Sequence, residues 1–270
     1  MTLRHTLAAV LATTLLAPLA ARAEPAAAAA PAIRVILVGD STLAPHNGYG
    51  DALCEHFSAR VTCLNLARNG RSSGSYRAEG SWQKVQTLLA DSAGFQASYV
   101  LIEFGHNDQP GKPGRSTDLK TEFAVNLGRY VDEVRAAGGT PVLVTPLTRR
   151  SFVGERLVND LQPWADAASS VASERHAPLI DLLSASAGAV QAMGSAEADT
   201  LAVEPPPPAA SATTPADLAQ IERVTNAKSA FDHTHVGPKG AHLFAGIVAG
   251  LLQDAVPALR PYFKNEAAAQ

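Results

Sequence analysis

Three features that assign many sequences to a class are scarce or missing in this one. The chain has no long run of basic residues and its formal net charge is −3, which argues against nucleic acid and anionic membrane surfaces as main partners. It has no internal repeats, which excludes a repeat architecture, and it has only two cysteines. A neutral substrate fits this charge balance more easily than a polyanion, although a local basic patch would override the sum.

The apolar residues near the start of the chain are too few, and too rich in Ala and Thr, to form a good membrane anchor. Arg4 and His5 precede an apolar stretch from Leu7 to Leu19, and Ala21-Arg22-Ala23 follows it. This is the pattern of a secretory signal peptide, which we predict over residues 1–23. We therefore expect a secreted or periplasmic monomer without membrane contact after cleavage; an uncleaved anchor is the alternative.

The rest of the chain is long enough for one good-sized domain. Residues 24–32 form an Ala/Pro spacer with nothing to bury, and we expect a single domain over residues 33–262. Inside it, residues 197–215 are a Pro/Ala-rich insertion that contains four consecutive prolines, Pro205 to Pro208. The composition predicts a polyproline-type or mobile segment, with regular structure resuming at about Ala216.

Strand-like and helix-like segments alternate along the domain. Short runs rich in β-branched residues predict strands, and apolar residues at helical spacing predict helices between them. No hairpin signal joins successive strands, so we predict an α/β fold: a three-layer α/β/α sandwich around a central parallel five-stranded sheet. The predicted strands are Ile33–Val38, Val61–Leu66, Tyr99–Phe104, Pro141–Thr145 and Pro178–Leu182, and the predicted helices are Gly50–Ser58, Trp82–Leu89, Phe123–Val134, Leu161–Glu174 and one that begins at Gly237-Pro238.

The two cysteines allow two interpretations. Cys54 lies in a predicted helix and Cys63 in the strand that follows, so the two thiols could face each other. Disulfides persist where exported proteins function, but the same pair could be two buried apolar thiols. The separation of the Cα atoms decides between them, and a sequence does not contain it.

The ends of the first three predicted strands carry residues suited to acyl transfer. Ser41 follows the first strand in Gly-Asp-Ser-Thr, Gly70 lies in the loop after the second, and Asn107 follows the third in Gly-His-Asn-Asp. These ends meet at one edge of a parallel sheet, so a nucleophile and donors for a developing oxyanion converge there. A base and an orienting carboxylate come late, as His235 and Asp232 in Phe-Asp-His-Thr-His.

These blocks resemble those of the SGNH (GDSL-type) hydrolases. The longer strings GDSTLAPHNGYG, NLARNGRSS, IEFGHNDQP and DHTHVGPKGAHLFA are similar to one branch, the rhamnogalacturonan acetylesterase-like carbohydrate esterases. The resemblance covers nearly the whole domain and implies a flavodoxin-like fold and an enzyme without cofactor or metal. It implies that Ser41 is the nucleophile, with His235 as its base and Asp232 as the partner of that base. It also implies an oxyanion hole formed by the backbone N–H of Ser41 with Gly70 and Asn107.

A second serine competes for the role of nucleophile. Gly70-Arg71-Ser72-Ser73-Gly74 matches G-x-S-x-G, the nucleophile elbow of α/β-hydrolases, which would select Ser72. An elbow follows its strand at once and opens an apolar helix, and neither condition holds in this sequence. Ser41 is therefore the preferred nucleophile.

The late block also permits a metal site. The family usually carries a small residue where this chain has His233. His233 and His235 form H-x-H beside Asp232 and could bind Zn²⁺, although the sequence around them predicts a turn rather than a strand. Arg149 and Arg150 follow the fourth strand at the same sheet edge and could hold a hydroxyl or carboxylate of a sugar.

The leading hypothesis is an exported serine esterase that removes O-acetyl groups from a polysaccharide of the rhamnogalacturonan or pectin type, through an acetyl-enzyme intermediate. The expected partner is an acetylated polysaccharide or oligosaccharide. One alternative is a small-acyl esterase, lipase or thioesterase on the same fold. Another is a catalytically dead relative that binds sugars, which should lack part of the catalytic set, whereas this chain has all of it.

Overall fold

Five parallel strands form the central sheet in the computed structural model, which describes residues 33–204 and 231–264 of the chain. β1 lies between β2 and β3, and the order across the sheet is β2-β1-β3-β4-β7. The strands are β1 (Ile33–Gly39), β2 (Val61–Asn65), β3 (Ala97–Glu103), β4 (Thr140–Val144) and β7 (Leu179–Ile180), while β5 (Phe152–Val153) and β6 (Arg156–Leu157) form a separate antiparallel hairpin.

Seven helices connect these strands in the described ranges. They are α1 (Gly50–Glu55), α2 (Ser73–Ala78), α3 (Ser81–Ala90), α4 (Ala124–Ala136), α5 (Gln162–Glu174), α6 (Leu182–Asp199) and α7 (Pro238–Ala255). A π-helical turn at Leu119–Phe123 leads into α4, and a 3₁₀ helix at Pro257–Tyr262 follows α7. Among the residues that the structure describes, no helix is long and apolar enough to cross a membrane.

Successive residues of β1 face two different hydrophobic cores, because side chains alternate along a strand. Val35 and Leu37 pack in a core that also contains residues of α1, α6 and α7. Ile36 and Val38 pack in the opposite core, with residues of α3, α4 and α5. Helices therefore cover both faces of the sheet. This three-layer α/β/α sandwich with a parallel five-stranded sheet confirms the predicted fold class.

Two helices were absent from the sequence prediction. α2 is capped at its N-terminus by Ser72, whose side chain accepts a hydrogen bond from the N–H of Ser75. α6 begins at Asp181, whose carboxylate accepts from the N–H of Ser184, so the predicted strand Pro178–Leu182 is too long at its end. Both starts are ordinary N-caps that sit inside segments without a clear amphipathic pattern.

The first three residues of the insertion predicted over residues 197–215 are helical, because Glu197–Asp199 are the last residues of α6. The backbone leaves helical geometry at Gly194, inside this helix. The proline run, the predicted resumption near Ala216, the signal peptide over residues 1–23 and the Ala/Pro spacer all lie outside the described residues.

Cys54 and Cys63 form a disulfide bond that joins α1 to β2. Their Cα atoms are 5.5 Å apart, within the range that a disulfide requires. Of the two interpretations that the sequence left open, the structure has the bridge.

Candidate active site

Ser41 lies on a tight turn directly after β1. The carbonyl of Asp40 accepts the N–H of Ala44 at 3.0 Å, and the Asp40 carboxylate accepts the N–H of Thr42 at 2.9 Å. Gly39 is required here by close packing, since a Cβ at this position would lie 2.7 Å from the carbonyl oxygen of Glu103. The Ser41 residue is 6 % exposed, so the turn presents its hydroxyl in a largely buried setting.

A continuous chain of hydrogen bonds links Ser41 to His235 and Asp232. The Oγ atom of Ser41 lies 2.7 Å from Nε2 of His235, and Nδ1 of His235 lies 2.7 Å from Oδ2 of Asp232. The other carboxylate oxygen of Asp232 accepts the backbone N–H groups of Thr234 and His235. Ser41, which is 194 residues from His235 in sequence, is therefore aligned with His235 and Asp232 for proton transfer.

Asp232 is held in its ionised form. Partial burial would raise the pKa of this carboxyl, but the backbone and ring N–H groups of His235 and the N–H of Thr234 outweigh it, so the pKa lies below its usual value. An ionised Asp232 accepts a hydrogen bond from Nδ1–H of His235, which leaves Nε2 free to face Ser41.

Arg150 supports the turn that carries these residues. Its guanidinium donates to the carbonyl oxygens of Asp232 and His235 at 2.9 and 2.8 Å, and its backbone N–H donates to the carbonyl of His233 at 2.8 Å. Arg150 is fully buried, so the expectation that it holds a sugar is wrong. Arg150 instead stabilises the turn from Asp232 to His235 through these backbone hydrogen bonds. No short sequence motif reveals this role.

Gly70 and Asn107 belong to two loops that touch. Gly70 has a φ of +74°, a conformation that favours glycine, and the side-chain amide of Asn107 donates to the carbonyl oxygen of Arg71 at 3.2 Å. Among hydrogen bonds within the described residues, neither Gly70 nor Asn107 is joined to Ser41. The structure thus brings the two loops that carry these residues into contact.

Ser72 has a different environment from Ser41. It is fully buried and forms a capping box with Ser75 at the start of α2, where each side chain accepts the other's backbone N–H. A hydroxyl used in this way is a helix cap, which removes the basis for the elbow interpretation.

The two histidines of the late block face different carboxylates. Nδ1 of His233 lies 3.3 Å from Oδ1 of Asp199, whereas His235 pairs with Asp232. Within residues 33–204 and 231–264, no group of three or more His, Cys, Asp or Glu side chains has the geometry of a metal site.

A buried polar network lies beneath the Ser41 turn, and sequence reasoning missed its central residue, Glu103. The hydroxyl of Thr42 lies 2.9 Å from Asp40 and 3.0 Å from Glu103, and Glu103 also accepts the hydroxyl of Tyr49 and the N–H of Leu147. The only sequence signal was an acidic residue at the end of an otherwise apolar strand, Tyr-Val-Leu-Ile-Glu.

The pKa values of the two acids in this network are shifted in opposite directions. Burial and the charge of Asp40 raise the pKa of Glu103 to about 8, despite its hydrogen bonds. Burial would also raise the pKa of Asp40, but the neighbouring His106 and the hydrogen bonds from Thr42 lower it below its usual value. The two shifts therefore favour protonation of Glu103 over protonation of Asp40.

Asp108 connects the loop after β3 to α2. Its carboxylate accepts the N–H and the hydroxyl of Ser73 and the hydroxyl of Thr117. Burial raises the pKa of Asp108 to about 6, and these hydrogen bonds oppose the shift. Asp108 thus anchors the neighbour of Asn107 to the rest of the fold.

Comparison with known proteins places this geometry in a family. Residues 36–241 match the GDSL-like Lipase/Acylhydrolase family. The chain is 33 % identical over 225 residues to rhamnogalacturonan acetylesterase RhgT of Bacillus subtilis (strain 168), which covers 80 % of this chain and 88 % of that protein. It is 29 % identical over 156 residues to the probable rhamnogalacturonan acetylesterase YesY of the same organism, with 55 % and 70 % covered.

A solved structure supports the fold. Axe2, an acetylxylan esterase from Geobacillus stearothermophilus, superposes with a TM-score of 0.51 at 14 % identity, over 82 % of this chain and 93 % of that one. The family match over residues 36–241 and the 33 % identical relative confirm the predicted resemblance: the chain belongs to the GDSL-like lipase/acylhydrolase family of carboxylic ester hydrolases.

Proposed function

We propose that the protein is an exported esterase that removes O-acetyl groups from a polysaccharide of the rhamnogalacturonan or pectin type. The observation that carries the proposal is the hydrogen-bond chain from Ser41 through His235 to Asp232, with contacts of 2.7 Å at both steps. The acetyl group and the type of polymer are inferred from the names of the two relatives, which are a rhamnogalacturonan acetylesterase and a probable rhamnogalacturonan acetylesterase.

The proposed reaction has two halves. In the first, the hydroxyl oxygen of Ser41 attacks the acetyl carbonyl while Nε2 of His235 takes the hydroxyl proton. The carbonyl oxygen becomes an oxyanion, for which the backbone N–H groups of Ser41 and Gly70 and the amide of Asn107 are the proposed donors. His235 then returns its proton to the departing sugar oxygen, and the acetyl group stays on Ser41.

The second half removes the acetyl group. Water attacks the acetyl carbonyl and gives one proton to His235, the Ser41–acetyl bond breaks, and that proton passes to the Ser41 oxygen. The product leaves as acetic acid, which loses its remaining proton to solvent and becomes acetate. The ionised Asp232 stabilises the imidazolium in both halves and keeps the ring aimed at Ser41. No cofactor takes part in these steps.

The test compares two serines of the same region. We expect Ser41→Ala to lower acetate release by at least ~10³-fold, since the nucleophile is lost, and Ser72→Ala to retain most of it, since that hydroxyl caps α2. Acetate is measured from acetylated pectic and xylan oligosaccharides and from a neutral aryl acetate. Normal turnover by a folded Ser41→Ala variant would refute the assignment of the nucleophile. Hydrolysis of the aryl acetate without release of acetate from any oligosaccharide would refute the proposed polysaccharide substrate.

Export is the second part of the proposal. The disulfide between Cys54 and Cys63 fits an oxidising compartment, as does the signal pattern of residues 1–23. Expression of the full chain in a bacterial host should yield a mature protein outside the cytoplasm that starts near Glu24, read by N-terminal sequencing. A cytoplasmic protein that retains Met1 would contradict this.

A further inference from the structure

Arg71 contacts both loops that carry the proposed oxyanion donors, Gly70 and Asn107. Its backbone carbonyl oxygen accepts a hydrogen bond from the side-chain amide of Asn107 at 3.2 Å. Its guanidinium donates to the backbone carbonyl oxygen of Asn69 at 2.8 Å. The carbonyl of Asn69 and the N–H of Gly70 form one peptide group, so a single residue is bonded to the groups that contain both proposed donors.

The bond to Asn69 affects the hydrogen at the other end of its peptide group. A trans peptide is planar, and its C=O and N–H point in opposite directions. The cation of Arg71 at the oxygen draws electron density away from the nitrogen, and linked hydrogen bonds strengthen one another by about 10–30 % each. The N–H of Gly70 is therefore a stronger donor to a negatively charged oxygen. Among the hydrogen bonds of residues 33–204 and 231–264, none uses this N–H as its donor.

The guanidinium of Arg71 is held in place by Glu79, the residue that follows α2. Nε and Nη2 of Arg71 lie 2.8 and 2.6 Å from Oε2 of Glu79, and the remaining nitrogen, Nη1, donates to Asn69. Each nitrogen of the guanidinium thus has a protein partner, although the side chain is 30 % exposed. The group is therefore positioned before any substrate binds.

The carbonyl of Arg71 is fixed in a similar way. It shares a peptide group with the N–H of Ser72, which donates to the hydroxyl of Ser75 at 2.9 Å in the capping box of α2. The amide nitrogen of Asn107 carries two hydrogens, and the carbonyl of Arg71 accepts one of them. This bond sets which way the amide of Asn107 is turned and leaves its second N–H for another acceptor.

We propose that Arg71 is a positioning residue of the oxyanion hole: its guanidinium holds and polarises the peptide group of Gly70, and its carbonyl oxygen orients the amide of Asn107. The assignment of Gly70 and Asn107 as donors rests on the proposed function. Because the stronger N–H acts when the oxyanion forms, Arg71 stabilises the transition state more than the bound substrate. Loss of its guanidinium should therefore lower kcat and leave KM unchanged.

The experiment removes the guanidinium and keeps the backbone carbonyl. We expect Arg71→Met to lower kcat for an aryl acetate by about 10-fold, less than the ~10²-fold or more that loss of a whole donor costs, because the N–H of Gly70 is still present. Arg71→Lys should recover part of the loss, since an ammonium can still donate to Asn69 but has one nitrogen where the guanidinium has three.

A second readout follows the oxyanion itself. The hydroxyl of Ser41 adds to the carbonyl of an alkyl trifluoromethyl ketone while His235 takes the proton, and the tetrahedral adduct carries a negatively charged oxygen. The inhibition constant of this ketone should rise in Arg71→Met by the same factor by which kcat falls. A merely structural effect on the loop would not link these two quantities with an unchanged KM.

Arg77→Met is the matched control. Arg77 lies on α2 and forms a 2.6 Å ion pair with Glu133, so this variant also removes a partly exposed guanidinium pair from the same region. It should keep the wild-type kcat and the inhibition constant of the ketone. Thermal unfolding shows that each variant is folded, and Arg71→Lys provides the comparison with wild type if Arg71→Met does not fold.

An unchanged kcat in a folded Arg71→Met variant, a loss confined to KM, or equal losses in both methionine variants would overturn the proposal. So would a lower kcat without weaker inhibition by the ketone. The proposed function fails by different results: normal turnover by Ser41→Ala, or no acetate from any oligosaccharide. Neither result alters the comparison of kcat between Arg71→Met and Arg77→Met on the aryl acetate.

Discussion

At the scale of single residues, the catalytic geometry depends on a side chain outside the four motif blocks. Arg150 is buried and donates to carbonyl oxygens on both sides of Thr234, so it sets the path of the turn that carries Asp232 and His235. A planar guanidinium with five donors can serve three carbonyls at once, whereas a lysine ammonium is a point donor on a flexible stem.

We expect Arg150→Met to lower kcat by about 10²-fold with little change in KM for a small ester, because misplacing a catalytic group by about 1 Å costs that much. Arg150→Lys should recover part of the loss. Steady-state kinetics with an aryl acetate measure both, with thermal unfolding in parallel. Arg135→Met is the control, since Arg135 also donates to two carbonyl oxygens, those of Arg175 and His176, but on α4. Equal losses of kcat in the methionine variants would mean a general effect on the fold.

Glu103 predicts a pH dependence of stability with an unusual sign for a carboxylic acid. Its pKa is about 8 in the folded protein and about 4.3 in an unfolded chain. The native state therefore binds more protons between these values, and the free energy of unfolding falls as pH rises through this window. Below this pH window Glu103 has no effect on the pH dependence of stability. Above the window, the stabilisation that protonated Glu103 provides is completely lost.

Glu103→Gln removes this titration while keeping the shape of the side chain. We expect the melting temperature of the wild type to fall more steeply than that of the variant from about pH 5 to about pH 8. Asp108, with a pKa of about 6, contributes the same sign at the acidic end of the range in both proteins and cancels in the comparison. Parallel melting curves would show that Glu103 is already ionised at neutral pH.

The residues of the candidate site were predictable only where they lie within a recognisable sequence motif. Ser41, Asp232 and His235 follow from blocks at strand ends, and the structure joins them in one hydrogen-bond chain. The structural roles of Arg150 and Glu103 were not predictable, because a sequence does not state which charged side chain is buried. Their partners are backbone atoms and hydroxyls from distant segments, which no short pattern contains.

At the scale of elements, the spacing of apolar residues and the turn residues that follow them predicted the sheet well. The five strands were recognised because buried parallel strands are short runs of β-branched residues with a turn at the end. α6 was missed because its residues are mainly Ala, Ser and Gly, so the contrast between its faces is weak. In the sequence, only Asp181 marks the change from strand to helix, because it is the N-cap of α6. An aspartate at this position is equally typical of a turn.

The disulfide yields a prediction for the edge of the sheet. β2 is an outer strand, and the bond between Cys54 and Cys63 ties it to α1 across a separation of 9 residues. Closing a loop of this size stabilises by roughly 2–3 kcal/mol in the chain-entropy estimate. We expect the Cys54→Ser, Cys63→Ser double variant to lose up to this amount in urea unfolding and to keep its kcat, because Ser41 follows the inner strand β1 and not the edge strand.

The result that would contradict this is a wild-type unfolding curve that a reductant leaves unchanged although the thiols become titratable. The bond would then contribute nothing to stability. A fall in kcat in the double variant, with stability preserved, would instead show that the edge strand is coupled to the Ser41 turn.

At the scale of the whole molecule, chain order and spatial order differ in a way that explains the site. β1 comes first in the chain but lies inside the sheet, between β2 and β3. The loops after these three strands carry Ser41, Gly70 and Asn107, and the segment before α7 returns across the same edge with His235. The parallel sheet therefore brings residues from the two ends of the domain together at the candidate active site.

The same architecture predicts that divalent metals are dispensable. The proposed oxyanion donors are N–H groups, and Asp232 carries the charge that an imidazolium needs. His233 lies against Asp199 instead of turning toward His235, which separates the two imidazoles that a zinc site would share. We expect kcat/KM for an aryl acetate to be unchanged after prolonged treatment with EDTA and dialysis, measured beside an untreated sample. Loss of activity that added Zn²⁺ restores would mean that Asp232, His233 and His235 gather around a metal in solution, and Ser41→Ala would then be mild instead of inactivating.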